Sequence, residues 1–472
     1  MQQKTMWTLE RHSYLLALLA LFITSVLCRP LLPIDETRYM TVAWEMFQTK
    51  NYFLLSMNFA PYHHKPPMLF WLINLSWQIF GVSRWSALIP VFFSSAAVLA
   101  LSGVLAQKLY PDHQEKKEYV SWLLFGSLPF LIYASLVMFD LMLAALNLSV
   151  FIMALSHCEK PETRKTVFLG VLLGIGVLIK GPVVYLYTLL PLLFYPYWRF
   201  ENHVITPKKL YTGLGIALAV SVIPIALWLI PALLQADKDF AYWLIWRQTA
   251  GRMEGNFSSS HVRPFYFYTM LLPLLFLPWA FFPSFWKNIK TLKQMDRPEK
   301  FILCATLPVF LCFSAIAGKQ PHYLLPLLPL VTIALTRVLY SSLEIRKVRI
   351  TALGVLSAII VFQLIGNTTF FKDYDLSPIV TYYQANRDKD FAFVHKYQGE
   401  IGFLARIEKP IDSIEHNQLG AWFKDHPNGL AIVRRSDDEK FPNFDEVFSM
   451  PYRSRKLSVF RLKSQGHENE ES

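Results

Sequence analysis

The chain has 472 residues and a net charge of +12, is 53% hydrophobic, and has a mean hydropathy of +0.31. So apolar a composition excludes an ordinary soluble domain of this size. Repeated apolar runs of about 18–23 residues, each long enough to cross a bilayer as a helix, make it a polytopic α-helical membrane protein. The positive charge sits in short loops between those runs, where it reports topology, so no nucleic-acid partner is expected.

About eleven spans are predicted: 13–32, 85–109, 119–138, 140–157, 166–180, 182–198, 210–233, 264–286, 301–317, 321–340 and 350–370. The first apolar run, from Tyr14 to Cys28, follows Lys4 and Arg11 as a secretory signal would. No Ala-x-Ala-like site comes after it, so it is expected to remain as a first helix. Gly181-Pro182 should end the helix that precedes it, because proline removes a donor and clashes with the previous turn. Gly170, Gly174 and Gly176 lie in an apolar run with no strand before them, which suits close helix packing better than a phosphate loop. Cys28, Cys158, Cys304 and Cys312 show no metal spacing and read as buried free thiols.

Alternating the sides places Lys4 and Arg11, then Lys108, Lys116 and Lys117, then Lys160, Arg164 and Lys165 on one face. Arg199, Lys208 and Lys209 join them, followed by the basic residues of 287–300 and of 337–349. By the positive-inside rule that face is cytoplasmic. The outer face receives loop 33–84, Asp140, Lys180, loop 234–263, and Lys319 with His322. Two domains follow: a transmembrane domain over 1–371, and a small extracytoplasmic α/β domain over 372–472. In the latter, Phe391–Val394, Gly429–Val433 and Leu457–Phe460 read as strands around a helix near Leu419–Lys424. The polar tail 465–472 is expected to be disordered.

Acids and bases thus collect on one face. Asp35, Glu36 and Arg38 open the first outer loop, a spacing that also suits a plain interfacial ion pair. Asp140 sits alone between Phe139 and Leu141 where two spans meet, a position that points to function, although a carboxylate there also makes a good N-cap. Lys65 before Pro66-Pro67, Lys180, Lys319 before Gln-Pro-His322, Arg247, Arg252 and Arg263 are cations suited to a phosphate. At a hydrocarbon edge such side chains also simply snorkel. His63, His64, His261 and His322 come from separate loops without a recognised ligand spacing, so no metal is assigned.

Asp35-Glu-Thr-Arg-Tyr39, His64-Lys-Pro-Pro67 followed by Leu69-Phe-Trp-Leu72, and Phe139-Asp140 together resemble the GT-C membrane glycosyltransferases that use polyprenyl-phosphate sugars. Lys180-Gly-Pro182, His261-x-x-Pro264 and Gly318-Lys-Gln-Pro-His-Tyr323 extend the likeness over about residues 14–340. It is greatest to the aminoarabinose lipid A transferases and the dolichyl-phosphate-mannose protein mannosyltransferases. The resemblance implies transfer of a sugar, with inversion, from a polyprenyl-phosphate carrier to an acceptor outside the bacterial inner membrane. A lipid A phosphate is the expected acceptor and a protein hydroxyl the alternative; membrane lipids are the remaining partners. The N-terminus would be cytoplasmic and the C-terminal domain periplasmic.

By the same resemblance Asp35 and Asp140 are catalytic, and Lys65, Lys180, Lys319, His322 and Arg252 bind the carrier phosphate. Glu36, Arg38, Tyr39, His63, His64, His261 and Tyr323 would contact substrate. No cofactor is implied with certainty, and a divalent metal stays open as an alternative. The chain departs from the pattern in carrying His63-His64 where relatives commonly have a glutamate or another residue before Lys-Pro-Pro, and in its fewer apparent spans. A lipid-linked sugar flippase is the rival of a different class, but it predicts repeated halves and charges on alternating pathways, neither of which the sequence shows.

Overall fold

The computed structural model describes residues 13–113, 115–236, 242 and 262–463. Arg247, Arg252, His261 and the 465–472 tail lie outside the described residues. The chain divides into two compact units: Met1–Ser25, Tyr52–Leu54 and His63–Phe362 form the first, and Val26–Asn51, Leu55–Tyr62 and Gln363–Ser472 the second.

Six helices among the described residues are long and apolar enough to cross a membrane: Arg84–Leu109, Asp140–Glu159, Pro207–Gln235, Arg297–Ala315, Pro321–Leu339 and Ile345–Thr368. Ser13–Cys28, Met68–Phe80 and Val183–Leu193 are shorter apolar helices, and Thr163–Lys180 is a further helix beside them. Several predicted spans are therefore not single helices. The 119–138 run breaks into Lys116–Phe125 and Leu128–Tyr133 at Gly126-Ser127, with Pro129 in the first turn of the second piece. Trp279 Nε1 donates to the Leu123 carbonyl at 3.0 Å, giving a partner to a group near the break. The 264–286 run breaks into Phe267–Leu275, a 3₁₀ turn Trp279–Phe281 and Pro283–Asn288, where Pro273, Pro278 and Pro283 remove successive donors.

Packing in the first unit follows small residues. A Cβ added to Gly170 would meet the Ala217 carbonyl at 2.6 Å, and one added to Gly174 the Ser221 carbonyl at the same distance. Bare glycines therefore let Thr163–Lys180 lie directly on Pro207–Gln235, as membrane helices pack. The cysteines correct an expectation. All four are free, but only Cys158 and Cys304 are buried, and Cys312 is exposed on its helix. An apolar run satisfies lipid as readily as a protein core, so hydropathy does not distinguish the two.

The second unit contains a hairpin of β1 (Ser56–Met57) and β2 (Ala60–Pro61). It also holds a five-stranded sheet of β3 (Phe391–Val394), β4 (Asp412–Ile414), β5 (Leu430–Arg435), β6 (Phe444–Tyr452) and β7 (Arg455–Leu462), in the order β4-β3-β5-β7-β6. The three strands β4, β3 and β5 are parallel, whereas β5–β7 and β7–β6 are antiparallel. The sheet is buried on both faces. Phe391, Phe393, Ile432, Leu457 and Val459 pack with Ile379 and Tyr383 on one side. Ala392, Val394, Ala431, Val433 and Phe460 pack with Leu419, Trp422 and Phe423 on the other. Alternate residues serve opposite cores, which is why β3 and β5 read as continuous apolar runs.

The Asp35–Thr49 helix belongs to this unit. Trp44 Nε1 donates to the Ile407 carbonyl at 2.8 Å, and the Asn58 amide exchanges two hydrogen bonds with the backbone of Ile411. Glu45 accepts from the Ser56 hydroxyl and from the backbone N–H groups of Asn58 and Phe59, at 2.6–2.9 Å. Burial raises the Glu45 carboxyl above the ordinary glutamate range, against the opposing pull of those bonds. Burial raises Glu400 as well.

An acid whose folded pKa exceeds its unfolded value binds its proton more tightly when folded. Its stabilising contribution is full below the unfolded pKa and is lost as pH rises through the raised folded one. The stability that Glu45 contributes is therefore expected to be larger near about pH 5 than at neutral pH, so that in detergent the melting temperature of Glu45→Gln changes with pH by a different slope from that of the parent. Calorimetry across that range checks this; an unchanged slope in the variant contradicts it.

Candidate functional site

Asp140 opens the Asp140–Glu159 helix without a side-chain capping bond. Its carboxylate instead forms an ion pair with Lys180, the last residue of Thr163–Lys180, and the two side chains are 2% and 8% exposed. Gly181, at φ +79°, turns the chain there while its N–H caps the Val177 carbonyl, so the glycine of Lys-Gly-Pro is needed by the backbone. Lys180 Nζ also lies 5.1 Å from the centroid of the Tyr323 ring. Tyr323 is fixed in turn by Tyr187, whose hydroxyl donates to its carbonyl at 2.6 Å. The His322 ring meets Tyr323 at 4.9 Å and Tyr133 at 6.5 Å.

Lys65 and His322 both act electrostatically on Asp140, together with Lys180. One buried carboxylate thus sits among two ammonium groups and an imidazole, leaving a local excess of positive charge. That is what an anionic leaving group would need. Lys65 is half-buried, as are His63 and His64, whose rings lie 4.5 Å apart.

Lys319 is placed differently. It is 2% exposed, and its Nζ donates to the Arg263 carbonyl at 2.9 Å and to that of Ile316. These bonds latch a short pairing in which Val262 bridges Gly318 and Arg263 N–H donates to Ala317. Tyr268 donates to the Gln320 carbonyl at 3.0 Å and extends the latch.

Asp35, Glu36, Arg38 and Tyr39 lie in the second unit. Asp35 begins its helix with its side chain 52% exposed, and Arg38 lies 3.8 Å from its carboxylate. Glu36 is 3% exposed and forms an ion pair with Arg29, while accepting from Leu32 N–H at 2.9 Å. Its carboxylate, expected to touch substrate, here anchors the start of the helix. Tyr39 is buried at 4%. Sequence reasoning missed Arg29, although an ionisable residue directly after the first apolar run was the available signal. It also missed Tyr187, an ordinary tyrosine inside a span, which carried no signal at all. Among the described residues, no group of three or more His, Cys, Asp or Glu is gathered closely enough to hold a metal ion.

The architecture resembles the helical membrane fold of the GT-C glycosyltransferases. The crystal structure of ArnT from Cupriavidus metallidurans bound to undecaprenyl phosphate superimposes with a TM-score of 0.76 over 98% of this chain and 99% of that one, at 17% identity.

Sequence comparison sharpens the resemblance to the aminoarabinose transferases of that class. The undecaprenyl phosphate-alpha-4-amino-4-deoxy-L-arabinose arabinosyl transferase of Pseudomonas savastanoi pv. phaseolicola is 28% identical over 332 residues, covering 66% of this chain and 59% of that protein. A transferase of the same description from Proteus mirabilis is 27% identical over 372 residues, covering 73% and 63%. The matched stretch therefore spans less than two thirds of either relative. The dolichyl-phosphate-mannose-protein mannosyltransferase family matches residues 64–228, a segment that includes Lys65, Asp140 and Lys180.

Proposed function

We propose that this chain is an integral-membrane glycosyltransferase that moves a sugar, such as an amino sugar, from a polyprenyl-phosphate carrier to an acceptor outside the bacterial inner membrane. A lipid A phosphate is the favoured acceptor. The observation that carries the reading is the buried Asp140–Lys180 pair with Lys65 and His322 acting on it, in a chain whose relatives are undecaprenyl-phosphate aminoarabinosyl transferases.

In the proposed reaction the bond between the anomeric carbon and the carrier phosphate oxygen breaks as an acceptor oxygen bonds to that carbon from the opposite face. One displacement inverts the centre. The electron pair stays on the departing polyprenyl phosphate, where Lys65, Lys180 and His322 stabilise it. One well-placed contact of this kind is worth about 3–4 kcal/mol. Asp35 is the carboxylate assigned to acceptor and sugar. Against an ionised phosphate acceptor it orients the sugar and stabilises positive charge developing at the anomeric carbon; against a hydroxyl it removes a proton. Eleven crossings with a cytoplasmic N-terminus and a periplasmic C-terminal domain accompany this reading.

A second acceptor class is favoured by one observation, the match of residues 64–228 to protein mannosyltransferases. Membranes from a host lacking the protein, reconstituted with it and given undecaprenyl-phosphate aminoarabinose carrying a labelled sugar, decide between them. Label is expected in the lipid A fraction. Label in protein supports the second acceptor, and no transfer from any lipid-linked sugar by folded protein overturns the enzyme reading.

A further inference from the structure

The segment 398–407 runs along one side of the Asp35–Thr49 helix for about two turns. Arg38 Nη2 donates to Gln398 Oε1 at 2.5 Å, and Thr41 Oγ1 donates to the Gly399 carbonyl at 2.8 Å. The Phe403 N–H returns a bond to Thr41 Oγ1 at 3.0 Å. Two glycines make the approach possible. A Cβ on Gly399 would stand 3.3 Å from Arg38 Cα, and one on Gly402 would collide with the Thr41 side chain. The segment is braced internally, because Gln398 N–H donates to the 5% exposed Glu400 at 2.7 Å.

Arg38 is consequently held by one end of its guanidinium. Nη2 is taken by Gln398, while Nη1 faces Asp35 at 3.8 Å, beyond hydrogen-bonding distance. A guanidinium released from Gln398 would be free to close on Asp35 as a two-pronged ion pair, the geometry arginine and carboxylate prefer. That would occupy the oxygens Asp35 needs for substrate.

We propose that Gln398 is a positioning residue: it holds Arg38 back and thereby keeps the Asp35 carboxylate open to acceptor and sugar. The inference rests on the assignment of Asp35 to the reaction. It gives residues more than 350 positions downstream in the chain a direct part in the chemistry of the first outer loop.

Gln398→Met tests it, since methionine keeps the length of the side chain and lacks a strong acceptor. With undecaprenyl-phosphate aminoarabinose as donor and lipid A as acceptor, kcat is expected to fall about tenfold or more, the scale of a small misplacement, with donor KM and melting temperature unchanged. Arg38→Ala removes the group that would close on Asp35, so the double variant should turn over no more slowly than Arg38→Ala alone. Gln398→Glu, which keeps an acceptor for Nη2, should restore kcat to within about twofold. Unchanged kcat in Gln398→Met, additive losses in the double variant, or a fall in Gln398→Glu equal to that in Gln398→Met each overturns the proposal. Asp35→Asn is run alongside. If it keeps near-normal turnover, the assignment of Asp35 has failed; if it is inactive while Gln398→Met is normal, only the positioning role has failed.

Discussion

Asp35→Asn is expected to lower turnover by roughly 10²–10⁴-fold, the usual contribution of a positioned acid or base, while leaving expression and melting temperature close to those of the parent. The two halves of that expectation have separate structural grounds. The loss follows from charge. Asparagine matches aspartate in shape but can neither take a proton from a hydroxyl nor stabilise positive charge at the anomeric carbon, so both proposed acceptors lose the same contribution. The preserved stability follows from exposure. The Asp35 side chain is 52% exposed, and its ionic contact to Arg38 is a long one at 3.8 Å. An acid in a first helical turn is worth about 0.3–1 kcal/mol. The anchoring role belongs to its neighbour Glu36, paired with Arg29 and bonded to Leu32. Turnover per folded molecule is measured with labelled donor, and melting by calorimetry in the same detergent. Near-normal turnover would remove Asp35 from the reaction.

The neighbouring pair Asp35 and Glu36 also marks where sequence reading reaches its limit. Both are acids at the end of an apolar run, and sequence offers no means of telling the outward one from the buried one. Helical geometry separates adjacent residues by about 100°, so one faces out and the other into the unit. Pairing across long separations was equally hidden. Asp140 was legible as a lone ionisable residue between spans, but its partner lies 40 residues away at the far end of another helix. Lys319 looked like a free cation beside proline, yet it is spent on two backbone carbonyls.

The six long apolar helices found among the described residues were legible because lipid demands long apolar runs, whatever their neighbours. Interruptions in other apolar runs were less so. Pro129, Pro273, Pro278 and Pro283 break helices that hydropathy alone draws as continuous. In the sheet, the buried parallel strands β3 and β5 announced themselves. The mostly exposed β4 and the bulged β6, with its shift between Glu446 and Phe448, lacked a clean period of two.

Replacing either member of the Asp140–Lys180 pair alone should destabilise the protein and abolish transfer, and replacing both should repair only the first defect. With the side chains 2% and 8% exposed, Asp140→Asn leaves the Lys180 ammonium buried without its counter-ion, while Lys180→Met strands the carboxylate. Breaking a buried pair in this way costs about 3–5 kcal/mol, whereas replacing both charges by neutral groups of similar volume is often close to neutral. The double variant Asp140→Asn, Lys180→Met is therefore expected to recover most of the parent melting temperature. Its turnover should stay at least about a hundredfold down, because in the proposed reaction Lys180 then no longer meets the departing phosphate. Lys65 and His322 remain in place in that variant, so donor binding should persist, with the defect in kcat rather than in KM. Reconstituted transfer assays and calorimetry on the three variants separate the two roles. If the double variant regains turnover together with stability, the pair only holds two helix ends together, and the phosphate must be met by other cations.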